Sequence, residues 1–223
     1  MDPAVSTAPE FITEPGLLAY PDAVAGMAAH VAALREGKAA ERVWLVEHPP
    51  LYTAGTSSRA ADLADPGRFP TFDAGRGGQW TYHGPGQRVA YVMLDLNRQH
   101  GRVAARDLHQ YVTGLEDWLI ATLACCGVAG ERRAGRVGVW VVDAANGAES
   151  KIAAIGVRVT KWISWHGISL NVNPALDHFS GIVPCGIRTH GVTSLRALGV
   201  QADMEAVDTA LRASWARIFG ENR

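Results

Sequence analysis

The chain has 223 residues, of which 48% are hydrophobic, and a formal net charge of −1. A chain of this length can bury a sizeable core and fits one large domain better than two. The balanced charge creates no general attraction for nucleic acid or for an anionic membrane, so we expect neither as a partner. The longest uncharged apolar run, residues 118–130, is shorter than the about 20 residues that span a bilayer. The N-terminus also lacks the features of a signal peptide, and we expect a soluble cytoplasmic protein.

The three cysteines do not form the pattern of a disulfide framework. Cys125 and Cys126 are neighbours, and the odd number leaves at least one thiol unpaired. The eight histidines form no His-x-x-x-His pair, and the spacing of Cys185 and His190 does not fit the common structural zinc sites. We therefore expect a reducing compartment, one candidate reactive thiol, and neither a metal site nor a cofactor.

The N-terminal part of the chain predicts a leader followed by a helix. Residues 1–16 contain three prolines and little apolar periodicity, so we expect a flexible leader that precedes a single folded domain over residues 17–223. From Asp22 to Glu36 the apolar residues recur at helical spacing. Asp22 is the predicted N-cap of this helix, and Gly37 is its predicted C-terminal stop.

A strand, a loop and a glycine-rich stretch follow. Residues 43–46 predict a strand that ends at a Pro-Pro pair, which cannot donate to a sheet, and residues 52–58 predict a loop. Residues 76–83 and 87–94 predict two strands joined by a tight turn. The glycines of the first stretch let the main chain approach a ligand, and strand alternation places His83 on the same face. A core histidine held by a hydrogen bond is an equally open interpretation of His83.

The rest of the chain predicts two helices and three strands. Apolar residues at helical spacing predict helices over residues 104–126 and 204–219. Residues 136–143 and 151–159 flank an Asn-Gly pair typical of a hairpin, and residues 167–173 predict a further strand. Because strands outnumber helices in a mixed order, we expect an α+β fold, a single domain with a mixed, mostly antiparallel sheet flanked by helices.

Two residues are candidates for chemistry. Lys151 begins an apolar strand of small residues, where an unpaired ammonium would be costly to bury. Cys185 lies between a proline and a glycine, which shape the backbone rather than pack, so we expect a displayed thiol. A nearby ammonium would lower the pKa of that thiol and favour the reactive thiolate. A buried, inert cysteine and a solvated lysine at a strand end are the alternative interpretation.

Five motifs follow one another along the chain: Glu47-His-Pro-Pro-Leu-Tyr-Thr53, Arg76-Gly-Gly-Gln-Trp-Thr-Tyr-His-Gly-Pro-Gly-Gln87, Lys151-Ile-Ala-Ala-Ile-Gly-Val-Arg158, His166-Gly-Ile-Ser-Leu-Asn-Val172 and Ile182-Val-Pro-Cys-Gly-Ile187. Together they resemble the motifs of the octanoyltransferases that begin lipoate synthesis, in the same order. The joint match is far more specific than any single motif. Two departures are that Ser169 stands where the family commonly has alanine, and that Val92 follows Tyr91 where the family often has proline.

The resemblance implies a fold related to the biotin and lipoate ligases. It implies transfer of an octanoyl group from acyl carrier protein to a lysine of lipoyl domains, namely those of 2-oxoacid dehydrogenase E2 subunits and the glycine cleavage H protein. It also implies that Cys185 is the acyl-thioester nucleophile and that Lys151 lowers the pKa of its thiol. The residues that it implies around the acyl chain are Arg76, Gly77, Gly78, Gln79, Trp80, Thr81, Tyr82, His83, Ala154, Ile155, Gly156, Gly167, Ile168 and Ser169.

The chemistry fits the residues themselves. Attack of a thiolate on a thioester exchanges one thioester for another, so the reaction needs no ATP. Lys151 could also act as the general base for the acceptor amine. Three other interpretations remain open. A ligase of the same fold would need ATP but no cysteine nucleophile, a non-catalytic acyl-binding module would need only the pocket, and a Cys-His hydrolase would use His83 or His166 as its base.

Overall fold

Over residues 8–143, 147–183 and 191–220, which a computed structural model describes, the chain forms ten strands and three α-helices. Two short 3₁₀ helices, Ala60–Asp62 and Leu176–Gly181, lie between them. The helices are α1 (Tyr20–Arg35), α2 (Leu108–Cys125) and α3 (Met204–Phe219). The strands are β1 (Glu10–Leu17), β2 (Arg42–Glu47), β3 (Leu51–Ala54), β4 (Thr71–Asp73), β5 (Thr81–His83), β6 (Gln87–Met93), β7 (Val139–Val142), β8 (Glu149–Thr160), β9 (Ile163–Asn171) and β10 (Gly191–Val192).

Seven of these strands form one large mixed sheet. Its order is β1-β2-β6-β9-β8-β10, and β7 also pairs with β8. The central pairs are antiparallel, whereas β1 runs parallel to β2 and β10 parallel to β8. The other three strands form a small sheet in the order β4-β3-β5. The predicted α+β class, with a mostly antiparallel sheet flanked by helices, is confirmed.

Alternation along the central strands divides the hydrophobic core between the two faces of the large sheet. Ala90, Ile168 and Leu170 point to one face, where α2 and α3 pack and form the larger core cluster. Val89 and Tyr91 point to the opposite face, where α1 packs. The small sheet has its own aromatic cluster, which also includes residues of the second 3₁₀ helix. The cavity described below lies on the face of the large sheet that carries α1.

All three predicted helices are present, but the end residues of α1 and α2 differ from the predicted ones. Helix α3 has the predicted range. Helix α2 begins at Leu108, not at residue 104, because Arg106 has a φ of 56° and the side chain of Asp107 caps the first turn. The predicted N-cap of α1, Asp22, lies inside the first turn instead. No helix in the described ranges is both long enough and apolar enough to cross a membrane.

The expected leader over residues 1–16 is wrong for its second half, since Glu10–Leu17 forms β1. This strand pairs with β2 at the edge of the large sheet. Phe11 also packs edge to face against Trp215 of α3, with 5.5 Å between the ring centroids. An edge strand that buries few side chains shows little apolar alternation, which is why the sequence pattern missed it.

Two further expectations about the loops are corrected. Residues 52–58, predicted as a loop, begin with strand β3. Strands β5 and β6 do not form a hairpin, because β5 pairs with β3 in the small sheet and β6 pairs with β2 and β9 in the large one. The turn between them carries the chain from one sheet to the other. At Gly86 in this turn a Cβ atom would lie 2.3 Å from the carbonyl oxygen of Asn173, so the turn packs too tightly for a side chain.

Candidate active site

A cavity of about 290 Å³ lies between the large sheet, the N-terminus of α1 and the loop before β5. The floor is formed by three neighbouring strands in register. Val89 lies beside Ser169, which lies beside Ala154, and the next row joins Tyr91, Gly167 and Gly156. Small residues in the rows of β8 and β9 leave the space above the sheet open. The cavity is therefore a consequence of glycine, alanine and serine at successive positions on one sheet face.

The wall of this cavity contains most of the predicted site residues. Those in the wall are Arg76, Gly78, Gln79, Trp80, Thr81, His83, Lys151, Ala154, Ile155, Gly156, Gly167, Ile168 and Ser169. The other wall residues, which the sequence analysis did not place in the site, are Tyr20, Val89, Tyr91, Gly135, Arg136, Val137 and His166. Cys185 lies outside the described residues.

Two residues of the glycine-rich stretch are not in the wall, contrary to the prediction. Tyr82 is on the opposite side of β5 from Thr81 and His83, because strand side chains alternate. Its hydroxyl is 2.8 Å from Nδ1 of His178, within the aromatic cluster of the small sheet. The backbone N–H of Gly77 donates to the carbonyl of Val157 at 2.9 Å. That amide is therefore engaged and does not face the cavity as a free donor.

Arg76 holds the glycine-rich loop in place. Its guanidinium is buried and donates to the carbonyl oxygens of Gly77, Gln79 and Thr53, and to the Thr53 hydroxyl at 2.7 Å. Gly78 has a φ of 86°, and a Cβ on Gly55 would lie 2.2 Å from the Gly78 carbonyl oxygen. The two loops thus approach at a distance that only glycine allows. The arginine of this motif fixes the wall of the cavity.

Lys151 reaches the cavity because the register of β8 shifts by one residue. Val139 pairs with Ala153, but the next residue, Trp140, pairs with Lys151, so Ile152 is the extra residue of a β-bulge. Regular alternation from Ala154 would turn Ile152 toward the cavity. Instead, Ile152 is fully buried in the main core and Lys151 lies in the cavity wall. Bulges of this kind commonly re-aim a side chain next to an active site.

The ammonium of Lys151 is held in a defined position. The residue is only 7% exposed, and Nζ donates to the carbonyl of Val137 at 2.8 Å. Nζ also lies 4.9 Å from the centroid of the Trp140 ring, a distance at which cation and ring attract. Arg136 of the same wall covers this ring at 4.6 Å and donates to Glu149. The solvated strand end considered as an alternative for Lys151 is therefore wrong.

The hydrogen bonds of the Gln87 side-chain amide decide which ring nitrogen of His83 carries the proton. The Nε2 group of Gln87 donates to Tyr82 O and to Asn171 Oδ1, at 3.2 and 2.9 Å. Its Oε1 atom therefore accepts, and Nδ1–H of His83 donates to it at 2.6 Å. The proton is thus on Nδ1 and Nε2 keeps its lone pair. Burial, and to a lesser extent the nearby His48, lower the pKa of His83 to about 3, so the ring is neutral at physiological pH.

One end of the cavity is lined by aromatic and imidazole groups that sequence reasoning did not assign to the site. His48 behind the wall donates from Nδ1 to the carbonyl of Leu18, and its Nε2 accepts from the Tyr91 hydroxyl at 2.6 Å. His166 has a φ of 58° within β9, an uncommon value for a residue other than glycine, which asparagine, aspartate and histidine adopt more often than the rest. Burial, followed by the charges of Arg76 and Arg158, lowers the pKa of His166 to about 4. Strained residues of this kind often occur at functional sites.

The chain matches the family model described as the lipoyl protein ligase A/B catalytic domain over residues 19–216. The chain belongs to this family. A relative from Gluconacetobacter diazotrophicus, named octanoyltransferase, is 66% identical over 93% of this chain and 90% of its own length. A second octanoyltransferase, from Acidiphilium cryptum, is also 66% identical, over 98% of this chain and 97% of its own length. The family resemblance seen in the five motifs is confirmed.

A solved structure shows the same fold. It is a bi-partite lipoate protein ligase of Thermoplasma acidophilum, described with its E2 lipoyl domain. The TM-score is 0.69 at 15% identity, over 96% of this chain and 86% of that chain. At this identity the likeness concerns the fold alone, and it confirms the predicted relation to the lipoate ligase fold.

Proposed function

We propose that this chain is an octanoyltransferase that moves an octanoyl group from acyl carrier protein to a lysine of lipoyl domains, through a thioester on Cys185. The name shared by the relatives at 66% identity supports the reaction. The observation that carries the proposal is the placement of Lys151. A β-bulge turns this buried ammonium into the wall of a cavity whose other residues come from the family's motifs. A cation of this kind beside a cysteine lowers the pKa of the thiol and favours the nucleophilic thiolate.

The first step is thioester exchange. The Cys185 thiolate attacks the carbonyl carbon of the carrier thioester, the carrier's C–S bond breaks, and the carrier thiolate leaves and takes up the proton of the Lys151 ammonium. The ammonium of Lys151 favours the thiolate by its positive charge. Two described contacts support this pairing, because Val192 of β10, seven positions after Cys185, pairs with Lys151, and Thr193 N donates to the Lys151 carbonyl. The chain that follows Cys185 thus returns beside Lys151.

The second step delivers the acyl group to the acceptor. The neutral amine of the acceptor lysine attacks the Cys185 thioester, an amide bond forms, and the thiolate of Cys185 is released. The amine loses one proton in this step, and we assign its uptake to Lys151 after that residue has given up its own. The neutral rings of His83 and His166 lie in the same wall and add no competing charge.

The floor of the cavity suits an unbranched acyl chain. Ala154, Gly156 and Gly167 leave an open channel above the sheet, and Val89 supplies an apolar contact along it. Burial of each methylene contributes about 0.8 kcal/mol, so a chain of several methylenes binds firmly without any polar recognition.

The partners follow from the reaction. Lipoyl domains are the acceptors, and we propose those of 2-oxoacid dehydrogenase E2 subunits and the glycine cleavage H protein, with octanoyl acyl carrier protein as the donor. The related fold of a lipoate ligase described together with an E2 lipoyl domain supports this choice of acceptor. No ATP enters either step, because the donor is already a thioester.

The proposal is tested by weighing the intact protein after incubation with octanoyl acyl carrier protein and no ATP. We expect the mass to rise by one octanoyl group and to return to its initial value when a lipoyl domain is added. Cys185→Ala should abolish the gain, whereas Cys125→Ala and Cys126→Ala, at the end of α2, should keep it. An unchanged adduct in Cys185→Ala, or modification that needs ATP and free octanoate, contradicts the proposed mechanism.

A further inference from the structure

The far end of the cavity contains a buried hydroxyl group without a hydrogen-bond partner. Tyr20, the first residue of α1, is only 4% exposed and lies in the cavity wall. Among the described residues, none forms a hydrogen bond with its hydroxyl group. A buried polar group left unsatisfied costs about 1–3 kcal/mol. Such a group in a binding cavity indicates that a ligand supplies the missing partner.

Two neighbours of Tyr20 offer no acceptor for its proton, and the carboxylate of Asp73, which acts on Tyr20 electrostatically, forms no hydrogen bond with its hydroxyl group. His48, with its ring centroid 5.6 Å away, uses Nδ1 to donate to Leu18 and Nε2 to accept from Tyr91. The guanidinium of Arg76, which is close enough to influence Tyr20 electrostatically, can only donate. Burial raises the pKa of Tyr20 to about 12, so the hydroxyl keeps its proton at neutral pH. The missing partner is therefore an acceptor.

The position of this hydroxyl corresponds to the far end of a bound acyl chain. Tyr20 and Tyr91 both pack against the ring of His48, with 5.6 and 5.8 Å between the ring centroids, and Tyr91 lies in the same sheet row as Gly156. Gly156 is five residues along β8 from Lys151, at most about 17 Å at the rise of a β-strand. An extended octanoyl chain is at most about 10 Å long, given C–C bonds of about 1.5 Å. An acyl chain that runs from Lys151 along β8 has its terminal methyl group directed toward Tyr20, with space remaining beyond it.

We propose that the cavity also binds medium-chain acyl groups that carry an uncharged oxygen, a hydroxyl or an oxo group, at their distal end, and that Tyr20 donates a hydrogen bond to that oxygen. This inference rests on the proposed octanoyl transfer. The added oxygen takes no part in bond making, since the same carrier C–S bond breaks and the same amide forms. A neutral oxygen fits the site because its two imidazoles, His83 and His166, are uncharged.

The experiment compares two carrier-bound donors of equal length, ω-hydroxyoctanoyl and nonanoyl, which differ only in a terminal hydroxyl or methyl group. For each enzyme the ratio of the two kcat/KM values for transfer to a lipoyl domain is measured. In Tyr20→Phe, which removes only the hydroxyl, we expect this ratio to fall by at least about fivefold, as expected for one buried hydrogen bond. Tyr111→Phe is the matched control, because its buried hydroxyl donates to Ser164 on the opposite side of the sheet.

Both kcat/KM values of each ratio are measured on the same enzyme preparation. A partial loss of folded enzyme lowers both values equally and leaves the ratio unchanged. An unchanged ratio in Tyr20→Phe overturns the inference, as does a wild-type enzyme that uses ω-hydroxyoctanoyl tenfold or more worse than nonanoyl. The second outcome can be measured even if Tyr20→Phe does not fold. Octanoyl transfer by the wild type is the reference, and its absence would contradict the proposed function rather than this inference.

Discussion

At the scale of single residues, Lys151 combines two requirements that conflict. A cation beside Cys185 must keep its charge to favour the thiolate, whereas a base for the acceptor amine must lose its proton. The Val137 carbonyl and the Trp140 ring hold the Lys151 ammonium in one position. The two roles can be separated by a substitution that keeps the charge and prevents its loss.

Lys151→Arg makes this separation, because a guanidinium stays protonated under all protein conditions. We expect formation of the Cys185 adduct to continue at a reduced rate, since the larger arginine does not reproduce the geometry of the ammonium. We expect discharge of the adduct to the lipoyl domain to fall by about 10²- to 10⁴-fold, the usual effect of losing a general base. The two half-reactions are measured separately by rapid quenching. Near-normal discharge would remove the base role and leave Lys151 as an electrostatic partner.

At the scale of elements, the site depends on how three segments meet. The bulge in β8 turns Lys151 into the cavity, and the turn after β5 carries the chain between the two sheets. The glycine-rich loop is tied to β3 by Arg76 and to β8 by the Gly77 N–H. The contact between that loop and β8 is very close. A Cβ added to Gly156 would lie 2.6 Å from Cδ of Arg76, so the arginine side chain would have to move.

Gly156→Ala should therefore narrow the far end of the cavity. Since overpacking costs about 1–3 kcal/mol, we expect the rate of acylation by the octanoyl donor to fall by about tenfold and that by a hexanoyl donor to fall less. The shorter chain ends before this row of the sheet. Gly77→Ala in the same loop is the control, because a Cβ there meets only the Val157 carbonyl oxygen at 3.6 Å. Equal losses for both donors in folded Gly156→Ala would contradict this placement of the acyl chain.

At the scale of the whole molecule, four histidines make the folded protein less stable as the pH falls. Burial is the main cause that lowers the pKa of His30, His48, His83 and His166 below the ordinary value of 6.5. The unfolded chain therefore binds more protons than the folded chain at pH values just below 6.5. The stabilisation is complete above that pH and is lost as the pH falls toward about 4 and then about 3, the pKa values of His166 and His83.

We expect the free energy of unfolding to fall between pH 6 and pH 5 by up to about 1.4 kcal/mol for each strongly shifted histidine. His166→Asn should make this dependence shallower by about one such contribution. Asparagine tolerates the φ of 58° at this position and does not titrate. Denaturant unfolding at a series of pH values measures both slopes. Identical slopes for His166→Asn and the wild type would show that His166 titrates normally in the folded protein.

The sequence by itself determined the fold class, the ranges of the main helices and strands, and the set of motifs that form the cavity. Periodicity located α3 over its full range, and the five motifs indicated the family that the comparisons confirm. These are local signals, since each depends on residues that are close in the chain. The roles of Cys185 and Lys151 in the reaction stay predictions.

Only the tertiary structure decided which side chains share the cavity. The bulge at Ile152 depends on pairing with β7, and no local pattern indicates that Lys151 faces the same side as Ala154. Tyr20 and His166 enter the wall because α1 and β9 meet there, although they are far apart in the chain. Tyr82 lies outside the wall because it is on the other face of β5, which packs in the aromatic cluster of the small sheet. Sequence spacing fixes neither strand partners nor register, because both depend on contacts between distant segments.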